Sequence, residues 1–167
     1  MIAAGQNLPA GKLMESTAFD GATGCPVGPT EVDVTAASKD KKIVIFGLPG
    51  AYTPTCSAKH VPSYIKNAAA LKAKGVDEVW CVTSNDAFVM AEWGKHLNVN
   101  GTVRMLADGS VKFIKDLGLE LDLTARGMGV RSNRYAMIVD KGVVKGVYVE
   151  GPGKYEVSSA EAVLSHL

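Results

Sequence analysis

One cysteine of this chain stands where a buried strand gives way to a helix. The stretch Pro49 to Ser57 reads PGAYTPTCS and follows the apolar run KKIVIFGL. A thiol used only for packing belongs inside a strand or on an apolar helix face, so a thiol at the junction points to reactivity. The first N–H groups of a helix lack intrahelical partners and carry partial positive charge, which favours a thiolate over a thiol. Pro54 pre-sets the backbone dihedral at the helix entrance, while Pro49 and Gly50 shape the loop ahead of it. Thr53, three residues before Cys56, offers a hydroxyl that accepts from one group and donates to another, as an oxygen-rich ligand requires.

The elements that must position this thiol follow from the hydrophobic pattern. Ile43 to Leu48 is an unbroken apolar run closed by Pro49 and Gly50, the mark of a central strand buried on both faces. Thr55 to about Lys74 has helical character with Gly75 as its stop, and Pro62 is expected to kink it after its first turns. Val76 to Thr83 reads as the next strand, and Asp86 to His96 as a helix capped by Ser84 or Asn85. Val103 to Ala107 is a short strand, and Asp108 to Leu117 holds a turn and a short helix. Arg134 to Asp140 and Gly142 to Glu150 form a hairpin about Asp140-Lys141-Gly142. Ser158 to His166 reads as a helix capped by Ser158, with Glu161 three residues on. Residues 1–40 carry short strands and turns, with TEVDVT (Thr30 to Thr35) alternating at period two, and Lys39 to Lys42 is a solvated turn. The order predicts one α/β domain over 1–167, a mixed central sheet flanked by helices with an N-terminal β-hairpin extension. A closing hairpin followed by a helix matches the thioredoxin-like fold.

Composition narrows the function further. Apolar residues make up 47% and charged residues 21%, with a net charge of +1, so no electrostatic drive toward nucleic acid or an anionic membrane is expected. No apolar run approaches the ~18 residues of a membrane span. The first residues, MIAAGQNLPAGK, have neither a basic start nor a sustained apolar stretch, so no export signal is expected. Cys25, Cys56 and Cys81 cannot all pair within one chain and show no C-x-x-C spacing. That usage predicts a reducing, cytoplasmic setting. No His/Cys/Asp group has metal-ligand spacing, and the Gly127-Met128-Gly129 and Gly151-Pro152-Gly153 loops lack the strand–helix context of a nucleotide site. No cofactor is expected.

Pro49, Thr53 and Cys56 together resemble the P-x-x-x-T-x-x-C active-site motif of peroxiredoxins. The wider segments IVIFGLPGAYTPTCSAKHVPSY, LKAKGVDEVWCVTSNDAFVMAEWGKH and RSNRYAMIVDKGVV are similar, in the same order, to the type II class of that family. The resemblance covers nearly the whole chain. It implies a thiol peroxidase in which Cys56 attacks the peroxide O–O bond and becomes a sulfenic acid. It assigns Thr53 to hydrogen bonds with peroxide and sulfur, Pro49 to shielding the thiolate, and the N–H groups near Gly50 and Cys56 to holding peroxide oxygens. The family's arginine precedes an aromatic-small-apolar triplet at a strand start, here Tyr135-Ala136-Met137, which makes Arg134 the match. Arg131 is the competitor, but a strand start fixes direction better than a loop. His60 lies one turn after Cys56, where the family also has histidine, and both a supporting role at the site and simple packing remain open for it.

Cys81, mid-strand among apolar residues, reads as a core thiol; Cys25, in the turn GATGCPVG, reads as an exposed one. Some family members carry a resolving cysteine before the last helix, but here that region is GPGKYEVSSAEAV. Cys56 is then reduced by an external thiol, glutaredoxin with glutathione or thioredoxin, or, in a less usual role, by Cys25 or Cys81, and the resemblance also implies a homodimer. The rival function is a peroxide sensor or redox relay that uses the same cysteine. A thiol–disulfide oxidoreductase would normally show C-x-x-C.

Overall fold

The computed structural model describes residues 1–167. Strands β1 (Lys12–Glu15), β2 (Ala18–Phe19), β3 (Pro26–Val27) and β4 (Thr30–Asp33) open the chain, followed by helix α1 (Val34–Ser38) and strand β5 (Lys42–Gly47). A wide helical turn over Cys56–His60 leads into α2 (Val61–Lys66) and α3 (Ala68–Ala73). Next come β6 (Glu78–Thr83), α4 (Ala87–His96), β7 (Arg104–Ala107) and α5 (Lys112–Asp116). Strands β8 (Glu120–Leu123), β9 (Gly129–Ser132), β10 (Tyr135–Asp140) and β11 (Val143–Val149) precede the last helix, α6 (Ala160–Leu164).

Seven strands form one mixed sheet in the order β11-β10-β5-β6-β7-β1-β4. The β5, β6 and β7 strands run parallel, as strand–helix–strand connections require, and the remaining pairs are antiparallel. The β5 run is apolar throughout because both of its faces are covered. Val44 and Phe46 enter a core with Tyr64, Leu71, Met90, Trp93 and Val163, while Ile43 and Ile45 enter the opposite core with Leu13, Val34, Phe113 and Leu117. The β1–β4 hairpin extends the sheet beyond β7, and β2 pairs with β3 beside it. At the β10–β11 turn Lys141 and Gly142 both take positive φ, 50° and 80°, the backbone that a two-residue hairpin loop demands. The architecture is the expected α/β, thioredoxin-like one. No helix is long and apolar enough to cross a membrane.

Local readings need five corrections, the first being that TEVDVT leaves the strand at Asp33, whose carboxylate caps helix α1 by accepting from the Ala36 N–H at 2.9 Å. The long helix breaks at Asn67 (φ −99°, ψ 11°) instead of kinking at Pro62. Pro62 falls in the first turn of α2, directly behind the wide turn whose bond runs from the Val61 N–H to the Cys56 carbonyl. Its missing N–H therefore lies where the ladder changes register, so no interior bond is lost. At the true break the Asn67 side chain donates to the Ser63 carbonyl at 2.8 Å, competing with the backbone for that acceptor. The cap of α4 is Asp86, which accepts from the Val89 N–H at 2.9 Å, because Asn85 is engaged elsewhere. The cap of α6 is Ser159, accepting from the Ala162 N–H, because Ser158 is turned inward and buried. Finally, the β8–β9 hairpin was not expected; Leu119, Leu121 and Leu123 alternate at period two and were the available signal.

Candidate active site

Helical backbone begins at Pro54, and the first helical bond runs from the Ser57 N–H to the Thr53 carbonyl at 3.0 Å. Cys56 thus sits in the first turn, its N–H without a partner and its side chain fully buried. Thr53, at the helix entrance, donates its hydroxyl to the Gly50 carbonyl at 2.8 Å. That bond folds the Pro49–Thr53 loop back on itself. Two outside groups fix the loop. Asn85 Oδ1 accepts from the Ala51 N–H at 2.9 Å and from the Thr83 hydroxyl at 2.8 Å. Arg131 donates from Nη1 to the Pro49 carbonyl at 3.3 Å and from Nε to the Met128 carbonyl at 2.7 Å, tying the loop to the β8–β9 hairpin. A Cβ at Gly50 would stand 2.7 Å from Arg131 Nη1, so a larger residue there would push that guanidinium off its place on the loop.

The other arginine meets the sulfur. Arg134, immediately before β10, donates from Nη2 to Cys56 Sγ at 3.3 Å. Its Nη1 lies 3.0 Å from His60 Nδ1. A guanidinium can only donate, so Nδ1 must be the accepting nitrogen and the proton resides on Nε2. Nε2 lies 3.0 Å from the Ser158 carbonyl, which accepts it, and the Tyr64 hydroxyl donates to the same carbonyl at 2.8 Å. Burial first, and the Arg134 charge second, push His60 down to about 3, so the ring is neutral at physiological pH. Aromatic packing holds the group in place. Phe46 stacks on Tyr64 with centroids 4.0 Å apart, and Tyr155 meets the His60 ring edge-on at 5.2 Å. The Arg134 guanidinium lies 5.9 Å from the Tyr155 ring centroid.

The six sequence-predicted positions, Pro49, Gly50, Thr53, Cys56, His60 and Arg134, therefore lie on one loop–helix–strand constellation. Arg131 is behind the loop, on the Pro49 carbonyl instead of the sulfur. Cys81, in β6, belongs to the same core as Cys56 and is equally buried. Burial chiefly, and the neighbouring Cys56 sulfur, hold its thiol well above the usual range. Cys25 is exposed in the turn before β3, and no group of three or more His, Cys, Asp or Glu side chains could hold a metal. Sequence reasoning missed Asn85, read as a helix cap, and Glu150, read as the end of a strand. Oε1 of Glu150 accepts from the N–H groups of Glu156, Val157 and Ser158 and from the Ser158 hydroxyl. Burial alone would raise this carboxyl; those hydrogen bonds outweigh it and hold the group below its ordinary value.

A Redoxin family profile matches residues 3–164. The chain belongs to the Redoxin family. Within it, the relatives are peroxiredoxins. Peroxiredoxin-2C of Oryza sativa subsp. japonica is 44% identical over 166 residues, covering 99% of this chain and 98% of that one. The crystal structure of reduced Prx3 from Vibrio vulnificus in complex with hydrogen peroxide is similar at a TM-score of 0.89 and 47% identity, over 99% of both chains. A crystal structure from Burkholderia cenocepacia, provisionally called a thioredoxin reductase, is similar at a TM-score of 0.93 and 55% identity, over 100% of this chain and 98% of that one. Its provisional name does not suit the present peroxiredoxin, whose thiol sits in Thr53-Pro54-Thr55-Cys56 without a second cysteine at C-x-x-C spacing. This peroxiredoxin is a thiol-dependent peroxidase, an oxidoreductase of the thioredoxin-like superfamily.

Proposed function

We propose that Cys56 is the group that reduces hydrogen peroxide and small alkyl hydroperoxides, and that an external thiol restores it. The observation that carries this reading is the Arg134 guanidinium on the Cys56 sulfur at 3.3 Å. A fixed cation at that distance stabilises negative charge on sulfur, and as the O–O bond lengthens it donates to the departing oxygen. The thiolate attacks one peroxide oxygen, forming S–O as O–O breaks. Sulfur loses two electrons, and the leaving hydroxide or alkoxide takes a proton to become water or alcohol. Thr53 presents its hydroxyl to the bound peroxide, the unpartnered Cys56 N–H and the Gly50 backbone supply further contacts, and Pro49 keeps bulk water off the sulfur. The neutral His60 holds Arg134 through Nδ1 without competing for negative charge. The Vibrio vulnificus relative, crystallised with hydrogen peroxide, supports a peroxide-sized substrate.

The resulting sulfenic acid is attacked by a reductant thiol, water leaves, and a second thiol resolves the mixed disulfide. The segment before α6 offers serines, not cysteine, which supports glutaredoxin with glutathione, or thioredoxin, as the electron source. Three free cysteines suit a reducing, cytoplasmic setting. A homodimer follows from the resemblance, and the exposed Tyr52 ring of the active-site loop, at 52% relative exposure, is apolar surface for it to cover. Steady-state peroxide consumption with glutathione plus glutaredoxin, compared with thioredoxin plus its reductase, tests the electron source. Sustained turnover with either supports the external-thiol cycle; a single stoichiometric oxidation with both overturns it.

A further inference from the structure

The hydrogen bonds behind Arg134 lead, without interruption, to a side chain that touches neither thiol nor peroxide. Arg134 Nη1 rests on His60 Nδ1, and this works only while the imidazole proton stays on Nε2. The Ser158 carbonyl keeps it there by accepting from Nε2 at 3.0 Å. Were that carbonyl to move away, the proton could shift to Nδ1, and two donors would face each other across the His60–Arg134 contact. The orientation of Ser158 is in turn set from its other side. Three consecutive amides, Glu156 at 2.7 Å, Val157 at 2.8 Å and Ser158 at 2.9 Å, and the Ser158 hydroxyl at 2.8 Å, all donate to the single oxygen Oε1 of Glu150. The main chain of Glu150 closes the loop, its N–H donating to the Arg134 carbonyl at 2.9 Å. One residue therefore grips the backbone of the arginine and the segment that fixes the histidine tautomer.

We propose that Glu150 is a positioning residue for the peroxidase reaction, holding the Arg134–His60 pair over the Cys56 sulfur by orienting residues 156–158. The inference rests on the reading of Cys56 and Arg134 given above. It also explains why a carboxylate stands at the end of β11, ahead of the Gly151-Pro152-Gly153 turn, in no salt bridge. The residue acts as an anion for backbone amides, and only through them on the site.

The decisive comparison is between two reactions of the same sulfur. Attack on peroxide needs the guanidinium at the departing oxygen, whereas alkylation by iodoacetamide, run at a pH high enough to ionise the thiol in every variant, does not. The variants Glu150→Ala, Glu150→Gln and Glu150→Asp are compared with wild type for the second-order rate with hydrogen peroxide, the alkylation rate of Cys56 and the 15N shifts of His60. Glu150→Ala is expected to lose at least tenfold in the peroxide reaction while alkylation changes by less than about threefold. Glu150→Gln, which keeps an acceptor oxygen at the same reach, is expected to restore most of the rate, and His60 to hold its proton on Nε2 only where the rate survives. Should Glu150→Ala fail to fold, Glu150→Asp, one methylene shorter, is expected to show the same selective loss at smaller size. A wild-type peroxide rate in both Ala and Asp variants, equal damage in Ala and Gln, or parallel loss of both reactions overturns the proposal. A wild-type protein whose Cys56 ignores peroxide would instead overturn the underlying assignment.

Discussion

Cys56 and Cys81 make a natural experiment inside one core. Both side chains are fully buried, both belong to the same apolar cluster, and neither is in a disulfide. Cys81 lies mid-strand, paired in register with Phe46 of β5, and nothing near it welcomes a negative charge. Burial chiefly, with the neighbouring Cys56 sulfur acting in the same direction, holds the thiol well above the usual range. Cys56 is buried to the same degree but stands in the first turn of a helix, with its own N–H free and a guanidinium at 3.3 Å. On the proposed assignment of Cys56, burial alone does not decide whether a cysteine is inert; the partners that remain after water is excluded do, and a low-dielectric pocket strengthens whatever those partners do.

Substitution at the sulfur has the largest effect. Cys56→Ser is expected to lose all measurable peroxide turnover while circular dichroism and melting stay near wild type, since the alcohol is nearly isosteric yet barely ionised at neutral pH. Removing the cation comes next. Arg134→Ala should slow the reaction with peroxide about a hundredfold or more, measured by stopped-flow Trp93 fluorescence, because the indole donates to Ser57 beside the reacting cysteine. Arg131→Ala should cost about tenfold or less, since that side chain reaches the loop carbonyl and not the sulfur. Greater damage in Arg131→Ala would mean that loop placement outweighs charge at the thiol.

The smallest effect concerns stability and pH. The unfolded chain protonates His60 near its ordinary value of 6.5, whereas the folded chain resists until about 3. Between those values the unfolded state holds the extra proton, so stability is complete above the unfolded value and is lost as pH falls through the window. At one pKa unit per 1.36 kcal/mol, the loss from His60 is about 3 kcal/mol between pH 7 and pH 4. Glu150, whose folded carboxyl is held low, adds a loss of the same sign where carboxylates titrate. Urea unfolding of wild type and His60→Gln at both pH values checks this. The variant should show the shallower dependence, and equal slopes would mean that His60 is not held neutral in the fold.

How much of this was legible in the sequence depends on how far apart the interacting residues lie. Pro49, Thr53 and Cys56 stand out because a loop proline, a hydroxyl and a thiol act over eight residues at one strand-to-helix junction. Arg134 is reached through the family resemblance, whose triplet Tyr135-Ala136-Met137 marks where β10 begins. Asn85 and Glu150 are not readable in the same way. Asn85 holds Ala51 across 34 residues, and Glu150 is proposed to act through Ser158, which lies 98 residues from the His60 it contacts. Only the parallel placement of β6 beside β5, and the return of the β11 connection over α2, bring those groups to the site. The break at Asn67 escaped for a different reason: proline has a known local penalty, whereas the wide turn that absorbs Pro62 depends on the tertiary path of the chain.

The contrast between the two buried thiols can be read from one sample. The protein is treated with a slight excess of hydrogen peroxide, without added thiol, and analysed by intact mass and peptide mapping. Cys56 is expected to gain one oxygen as sulfenic acid, advancing to higher oxides with more peroxide, while Cys81 stays a thiol. Loss of two hydrogens mapped to Cys56–Cys81 or Cys56–Cys25, or first oxidation at Cys81, would contradict the account: the first would mean the chain resolves itself, the second that burial and not charge partners sets reactivity.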